Sequence, residues 1–265
     1  MPRFAANLSM LFTEVPLAQR FERAARAGFR SVEVQLPYEL PAPQIAGELQ
    51  ANRLQMVLHN LPAGDWAGGE RGIACLPGRE AEFREGVHQA ISYAQALGVT
   101  RLNCLAGKRP EGVSPQRAQE VFVANLGHAA PLLKAAGIQL LIEPVNHFDI
   151  PGFHLNTTAQ AVQTIEAVGS DNLFVQYDAY HAQRMEGELC GTVQRHLAHI
   201  AHIQVADNPG RNEPGTGEVN WAFFFAHLDR IGYRGYVGCE YKPAGRTEDG
   251  LGWLEQARRL LRATA

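Results

Sequence analysis

The sequence predicts an α/β chain folded as a (β/α)8 TIM barrel, a single domain over residues 1–265. Three observations lead there. An amphipathic stretch, a glycine and a short β-branched run recur along the chain. Each repeat takes about 33 residues, the size of a βα unit, so eight of them fill the 265 residues. The first strand runs into Asn7-Leu8-Ser9-Met10-Leu11-Phe12 rather than a glycine-rich phosphate turn, which disfavours a doubly wound open sheet.

In chain order, residues 4–8 read as the first strand. Residues 17–26 have a helical pattern, Gly28 closes it, and 31–35 form the second strand. The third strand is 55–59. A helix at 87–97 with Gly98 precedes the strand at 101–105, and a helix at 126–136 with Gly137 precedes 139–143. A helix at 159–168 with Gly169 leads into 173–178. The seventh strand is 201–205, and a helix at 223–231 with Gly232 leads into the eighth at 236–240. Glycine just past a helix supplies the left-handed residue that turns the chain back to the sheet. The longest irregular stretch, 62–77, holds four glycines and one tryptophan and is expected to cover a site after the third strand.

Composition narrows the function classes. With 46% hydrophobic and 19% charged residues the chain is globular. A net charge of −3 gives no electrostatic footprint for nucleic acid or an anionic membrane. Cys75, Cys104, Cys190 and Cys239 are scattered and read as thiols in a reducing compartment. No apolar run reaches the length of a membrane span, and the N-terminus lacks a signal-peptide pattern. The expectation is a soluble cytoplasmic enzyme with neither nucleic acid nor membrane as partner, its subunit count left open.

Barrel enzymes build their sites at the C-terminal ends of the strands. Those ends carry Asn7, Gln35, His59, Asn103, Glu143, Asp178, Gln204 and Glu240. The last four are separated by whole βα units and so fall on successive strands. Three carboxylates and an amide converging on one axis suit a hard divalent cation, Mg2+ or Mn2+. Any one acid could instead cap a helix or pair with an arginine, but all four together make that reading a poor one. Without a cation, at least one of three converging carboxylates would take up a proton.

Among the histidines, His59 ends the third strand and His181 lies three residues past Asp178, in a loop position able to reach a substrate. His196, His199 and His202 straddle a helix-to-strand change and read as core or surface residues, with His202 sharing the facing of Gln204. His88, His128 and His227 read as helix surface residues. Arg211 sits in a turn braced by glycine and proline, and its fork suits a carboxylate. Lys108, Arg109 and Lys242 are the other cations placed to hold an anion; Lys242 shares the facing of Glu240.

The segments Glu143-Pro144-Val145-Asn146, Asp178-Ala179-Tyr180-His181, Gln204-Val205-Ala206-Asp207-Asn208-Pro209-Gly210-Arg211 and Pro214-Gly215-Thr216-Gly217-Glu218 resemble the signatures of hydroxypyruvate isomerases. These belong to the xylose-isomerase-like barrels and are closely similar to 2-oxo-tetronate isomerases. The likeness covers essentially the whole chain. It implies that Glu143, Asp178, Gln204 and Glu240 bind a divalent metal and that Glu143 and Glu240 also move the proton. Ketose 3-epimerases of the same barrel usually have histidine where Gln204 stands, and a glutamate where this chain has Asp149. The implied reaction interconverts hydroxypyruvate and tartronate semialdehyde (2-hydroxy-3-oxopropanoate) through an enediolate. A metal chelated by the ketone and hydroxyl oxygens acidifies the hydroxymethyl C–H, one glutamate takes the proton, and the other returns one to the adjacent carbon. The 2-oxo acid's carboxylate is expected to be held by Lys108, Arg211 or Lys242, helped by His59 or His181. The alternatives are a 2-oxo-tetronate isomerase or ketose 3-epimerase on the same barrel, and a non-catalytic barrel that binds a metabolite.

Overall fold

The computed structural model describes residues 3–263. The strands are β1 (Arg3–Asn7), β2 (Ser31–Val34), β3 (Gln55–Asn60), β4 (Arg101–Cys104), β5 (Gln139–Ile142), β6 (Leu173–Asp178), β7 (Ile200–Val205) and β8 (Tyr236–Cys239). They follow one another in chain order in one closed barrel, with β1–β2, β1–β8, β3–β4, β4–β5, β5–β6 and β7–β8 paired in parallel. Each strand end lies within one residue of its expected position. The helices are α1 (Leu17–Arg26), α2 (Ala42–Asn52), α3 (Glu80–Leu97), α4 (Pro115–Ala135), α5 (Thr158–Val168), α6 (Ala179–Met185), α7 (Leu189–Arg195), α8 (Trp221–Arg230) and α9 (Gly252–Ala263).

Helices depart from expectation more than strands do. Both α3 and α4 begin earlier than the apolar pattern indicates. A proline at N1 and the Ser114 side chain, which accepts from Arg117 N–H, start α4 at Pro115. The segment after Asp178, expected as a loop, is the short helix α6. Asp178 starts it by accepting the N–H groups of Tyr180 and His181. No described helix is long and apolar enough to cross a membrane.

The chain divides into two compact units, 1–35, 47–57 and 177–265 forming one and 36–46 and 58–176 the other. In the first, β1 pairs with β2 (Asn7 opposite Glu33) and with β8 (Ala5 opposite Gly238), while β7 pairs with β8 (Gln204 opposite Gly238). Side chains alternate along a strand, so Gln204 shares a face with His202, and Glu240 shares one with Gly238. Phe4 meets Phe225 and Trp253 edge-on, at centroid distances of 5.1 and 5.5 Å, which fastens α8 and α9 to β1.

In the second unit β4 lies between β3 (Asn60 opposite Asn103) and β5 (Cys104 opposite Ile142). Thr157 and Gln160 form a reciprocal capping box at the start of α5, and Gly169 ends that helix at φ 68°. Segment 62–77 is pinned to the residues that follow β4. Cys75 N–H donates to the Ala106 carbonyl (2.8 Å), Asn125 Nδ2 donates to the Ala74 carbonyl (2.8 Å), and Ile73, Ala74 and Cys75 are buried. Gly72 (φ 106°) and Gly107 (φ 100°) meet here. A Cβ on Gly72 would lie 2.2 Å from the Leu105 carbonyl oxygen, and one on Gly107 would lie 2.4 Å from that of Gly72.

Candidate functional site

In the first unit, polar side chains at and just below the strand ends form one buried network around Glu240. Its Oε1 accepts from Gln35 Nε2 and from Arg211 Nη2, each at 2.9 Å. Its Oε2 accepts from Asn7 Nδ2 at 3.1 Å and from Gln204 Nε2. Burial pushes the Glu240 carboxyl up to about 8. Arg211 opposes that rise, while the nearby Asp178 and Glu33 carboxylates add to it.

Asp178 divides its two oxygens between tasks. Oδ1 accepts the backbone N–H of Tyr180 (2.8 Å) and of His181 (3.4 Å), the cap of α6. Oδ2 is buried without a hydrogen bond and stands 3.8 Å from Arg211 Nη2 and 3.7 Å from His181 Nε2. Burial raises this carboxyl too, against Arg211 and the two capping N–H groups. His181, in the first turn of α6, is buried; burial first, then Arg211 and Arg184, hold its imidazole well below its ordinary range. The donor set of this unit fits a hard divalent cation. It consists of carboxylate and amide oxygens, two of its carboxyls are protonation-prone through burial, and one buried carboxylate oxygen lacks a hydrogen-bond donor.

Arg211 reaches the network because of the loop that carries it. Asp207 is buried; its Oδ1 accepts from Asn208 N (2.9 Å) and Val219 N (3.2 Å), and its Oδ2 from Gly215 N (2.7 Å). Arg211 N in turn donates to the Asp207 carbonyl at 2.8 Å, with Arg211 in the left-handed region at φ 56°. The guanidinium carbon lies 5.3 Å from the Tyr180 ring centroid.

In the second unit Glu143, just past β5, is buried, and its Oε2 accepts from Asn103 Nδ2 (2.8 Å) and Gln176 Nε2 (2.9 Å). Asn103 Nδ2 also donates to Asn60 Oδ1 (3.2 Å). His59 is fully buried, with Nδ1 2.9 Å from the Asn60 carbonyl oxygen and Nε2 without a partner. Burial drives its imidazole down to about 4.

The first unit therefore gathers Asp178, His181, Gln204, Arg211 and Glu240, and the second places His59 and Glu143 on either side of the Asn60–Asn103 contact. The lysines are not gathered with them. Lys108 and Lys242 are exposed, and their recorded contacts are backbone ones: Lys108 bridges to Phe153, and Lys242 N–H donates to the Arg211 carbonyl at 2.8 Å. Arg109 is exposed and donates to the Val113 carbonyl at 2.7 Å. His227, expected on a helix surface, is 7% exposed. Sequence reasoning passed over Glu33 and Gln176. Each lies two residues before a strand-end residue, Gln35 and Asp178, and so shares its facing; a carboxylate in the middle of the buried strand β2 was the available signal.

The profile of the xylose isomerase-like TIM barrel family matches residues 21–257. The chain is 55% identical to the hydroxypyruvate isomerase of Escherichia coli strain K12, over 97% of this chain and all of that one. It is 45% identical to a 2-oxo-tetronate isomerase of Cupriavidus necator, over 96% of this chain and 98% of that one. A crystal structure titled AP endonuclease, family 2, from Brucella melitensis superposes with a TM-score of 0.94 at 45% identity, covering 97% of this chain and 99% of that one.

Proposed function

The chain belongs to the xylose isomerase-like TIM barrel family, and on that premise we propose that it is a metal-dependent isomerase interconverting hydroxypyruvate and tartronate semialdehyde. It is an enzyme, an isomerase of the aldose–ketose type. The reading places it in the cytoplasm as a single catalytic domain acting on a small 2-oxo acid.

Asp178 is the observation that carries the reading: a buried carboxylate with one oxygen spent on a helix cap and the other without a hydrogen bond. In this proposal Glu143, Asp178, Gln204 and Glu240, at the ends of four successive strands, hold the divalent cation, Mg2+ or Mn2+. When bound, the cation draws charge from the ketone and hydroxyl oxygens and acidifies the hydroxymethyl C–H. Asn103 and Gln176 fix the Glu143 carboxylate through one oxygen, while Gln35, Asn7, Gln204 and Arg211 fix that of Glu240. One glutamate removes the proton from the hydroxymethyl carbon and the other delivers one to the neighbouring carbon. In this reading Arg211, which pairs with Glu240, and not the exposed Lys108 or Lys242, faces the substrate carboxylate. In this reading His181 and His59 help to hold the bound substrate.

The test is a substrate panel on metal-depleted protein resupplied with Mg2+ or Mn2+, containing hydroxypyruvate, 2-oxo-tetronate, free ketoses and a DNA duplex. The expected result is metal-dependent turnover with the highest kcat/KM on hydroxypyruvate. A preference for 2-oxo-tetronate would move the chain to the neighbouring activity, and full turnover after metal removal would overturn the mechanism.

A further inference from the structure

Each oxygen of Glu240 is held by an amide from a different strand end. Gln35, one residue past β2, donates to Oε1 (2.9 Å), and Asn7, the last residue of β1, donates to Oε2 (3.1 Å). The last torsion of a glutamate side chain has only broad wells, so the carboxylate turns easily about it. Its plane is set by whatever fixes the two donors relative to each other. Ser9, half-buried in the turn after β1, joins them. Its backbone N–H donates to Asn7 Oδ1 (3.1 Å), and its hydroxyl oxygen accepts the backbone N–H of Gln35 (2.8 Å).

The two contacts act on the donors in different ways. An amide offers one accepting oxygen and one nitrogen with two hydrogens. With Asn7 Oδ1 engaged by Ser9, Nδ2 faces two carboxylates, Glu240 and Glu33. It lies 2.9 Å from Glu33 Oε1, while Glu33 Oε2 lies 2.7 Å from His202 Nε2. For Gln35 the Ser9 hydroxyl holds the main chain from which the side chain reaches Glu240. Ser9 is itself held on both sides. Leu8 N–H donates to the Glu33 carbonyl (2.8 Å), Leu11 N–H to the Asn7 carbonyl (2.8 Å), and Phe12 N–H to Thr247 Oγ1 (2.7 Å).

We propose that Ser9 is a positioning residue: by joining Asn7 to Gln35 it fixes the plane of the Glu240 carboxylate that those two amides grip. The inference rests on the reading of Glu240 as a base and metal ligand. A misplacement of about 1 Å at a reacting group can cost about 10²-fold in rate. Partners that orient ligands typically govern metal affinity or activity by about 10–100-fold.

The test is a double-mutant cycle of Ser9→Ala and Gln35→Leu in the full-length chain. Ser9→Ala keeps the N–H that binds Asn7 and removes the acceptor for Gln35. Titration calorimetry on metal-depleted protein gives the Mn2+ Kd and the number of sites. Steady-state kinetics gives kcat at saturating Mn2+, on the better of hydroxypyruvate and 2-oxo-tetronate. Circular dichroism checks folding, and Ser9→Gly, which lacks the same oxygen, carries the test if Ser9→Ala does not fold. Each single variant should raise the Kd or lower kcat about tenfold, with the number of Mn2+ sites unchanged. Both changes act on one carboxylate, so adding Ser9→Ala to Gln35→Leu should cost less than about threefold more. A residue that only shapes the turn would give effects that multiply in full, and that outcome overturns the proposal. Wild-type Kd and kcat in Ser9→Ala, or in Gln35→Leu, overturn it as well and leave the isomerase reading standing. A wild-type chain that turns over neither substrate, or that binds no Mn2+, overturns the proposed function and this inference with it.

Discussion

Asp178 caps α6 and, in the proposed function, also holds the metal, and the two roles can be separated by substitution. Asparagine caps a helix about as well as aspartate. Asp178→Asn should therefore leave the metal-free chain within about 0.5 kcal/mol of wild-type stability, while Mn2+ affinity falls by an order of magnitude or more. Thermal unfolding and calorimetry on the same samples check both halves. Burial raises the Glu240 carboxyl, up to about 8. The folded chain thus holds a proton that the unfolded chain releases at lower pH. The stability this contributes is full below the ordinary glutamate range and is lost as pH rises toward about 8; Asp178, also raised, acts with the same sign. Unfolding midpoints measured in chelator should accordingly fall across that window, and Glu240→Gln should flatten the fall. Under the proposed two-base scheme, Glu143→Gln and Glu240→Gln would each keep an oxygen ligand and remove a base, so each should lower kcat by at least 10²-fold with metal bound. A Glu143→Gln enzyme near the wild-type rate at full metal occupancy would leave the two-base scheme without one of its bases.

Among the elements, the strands were legible because a β-branched run bounded by a glycine-capped helix has few alternative readings. The helix α6 was not. It is seven residues long, too short to display a periodicity, and its start depends on Asp178 turning one oxygen onto two backbone N–H groups. The direction of Lys108 and Lys242 was equally hidden, because residue type and strand parity do not say where a flexible four-carbon stem points once the strand has ended. Arg211 could be picked out because glycine and proline brace its turn, although the brace itself is Asp207, which the sequence does not distinguish from an ordinary loop acid. That brace is testable. Asp207→Ala leaves three backbone N–H groups without their acceptor and should release the turn that carries Arg211. The expected outcome is a KM for hydroxypyruvate raised about tenfold or more, with Mn2+ affinity near wild type. Steady-state kinetics beside calorimetry separates that result from general unfolding, which would lower kcat and the number of Mn2+ sites together and leave KM unchanged.

At the scale of the molecule, the closed order β1 to β8 was readable from repetition, whereas the contacts around Glu33 were not, since they depend on residues far apart in sequence being brought into register. If the cation binds the folded chain and not the unfolded one, Mn2+ at about 100 times its Kd should add about 2.7 kcal/mol of stability. Scanning calorimetry should then show a midpoint several degrees higher, reversed by chelator. Segment 62–77 has a consequence for the timing of turnover. Gly72 and Gly107 hold it so closely that a methyl group at either position would meet a backbone oxygen, and its residues 73–75 are sealed in apolar surroundings. Such a segment is a wall and not a door. A segment held in this way should not swing during turnover, so kcat should stay unchanged when a viscous cosolvent slows large loop movements.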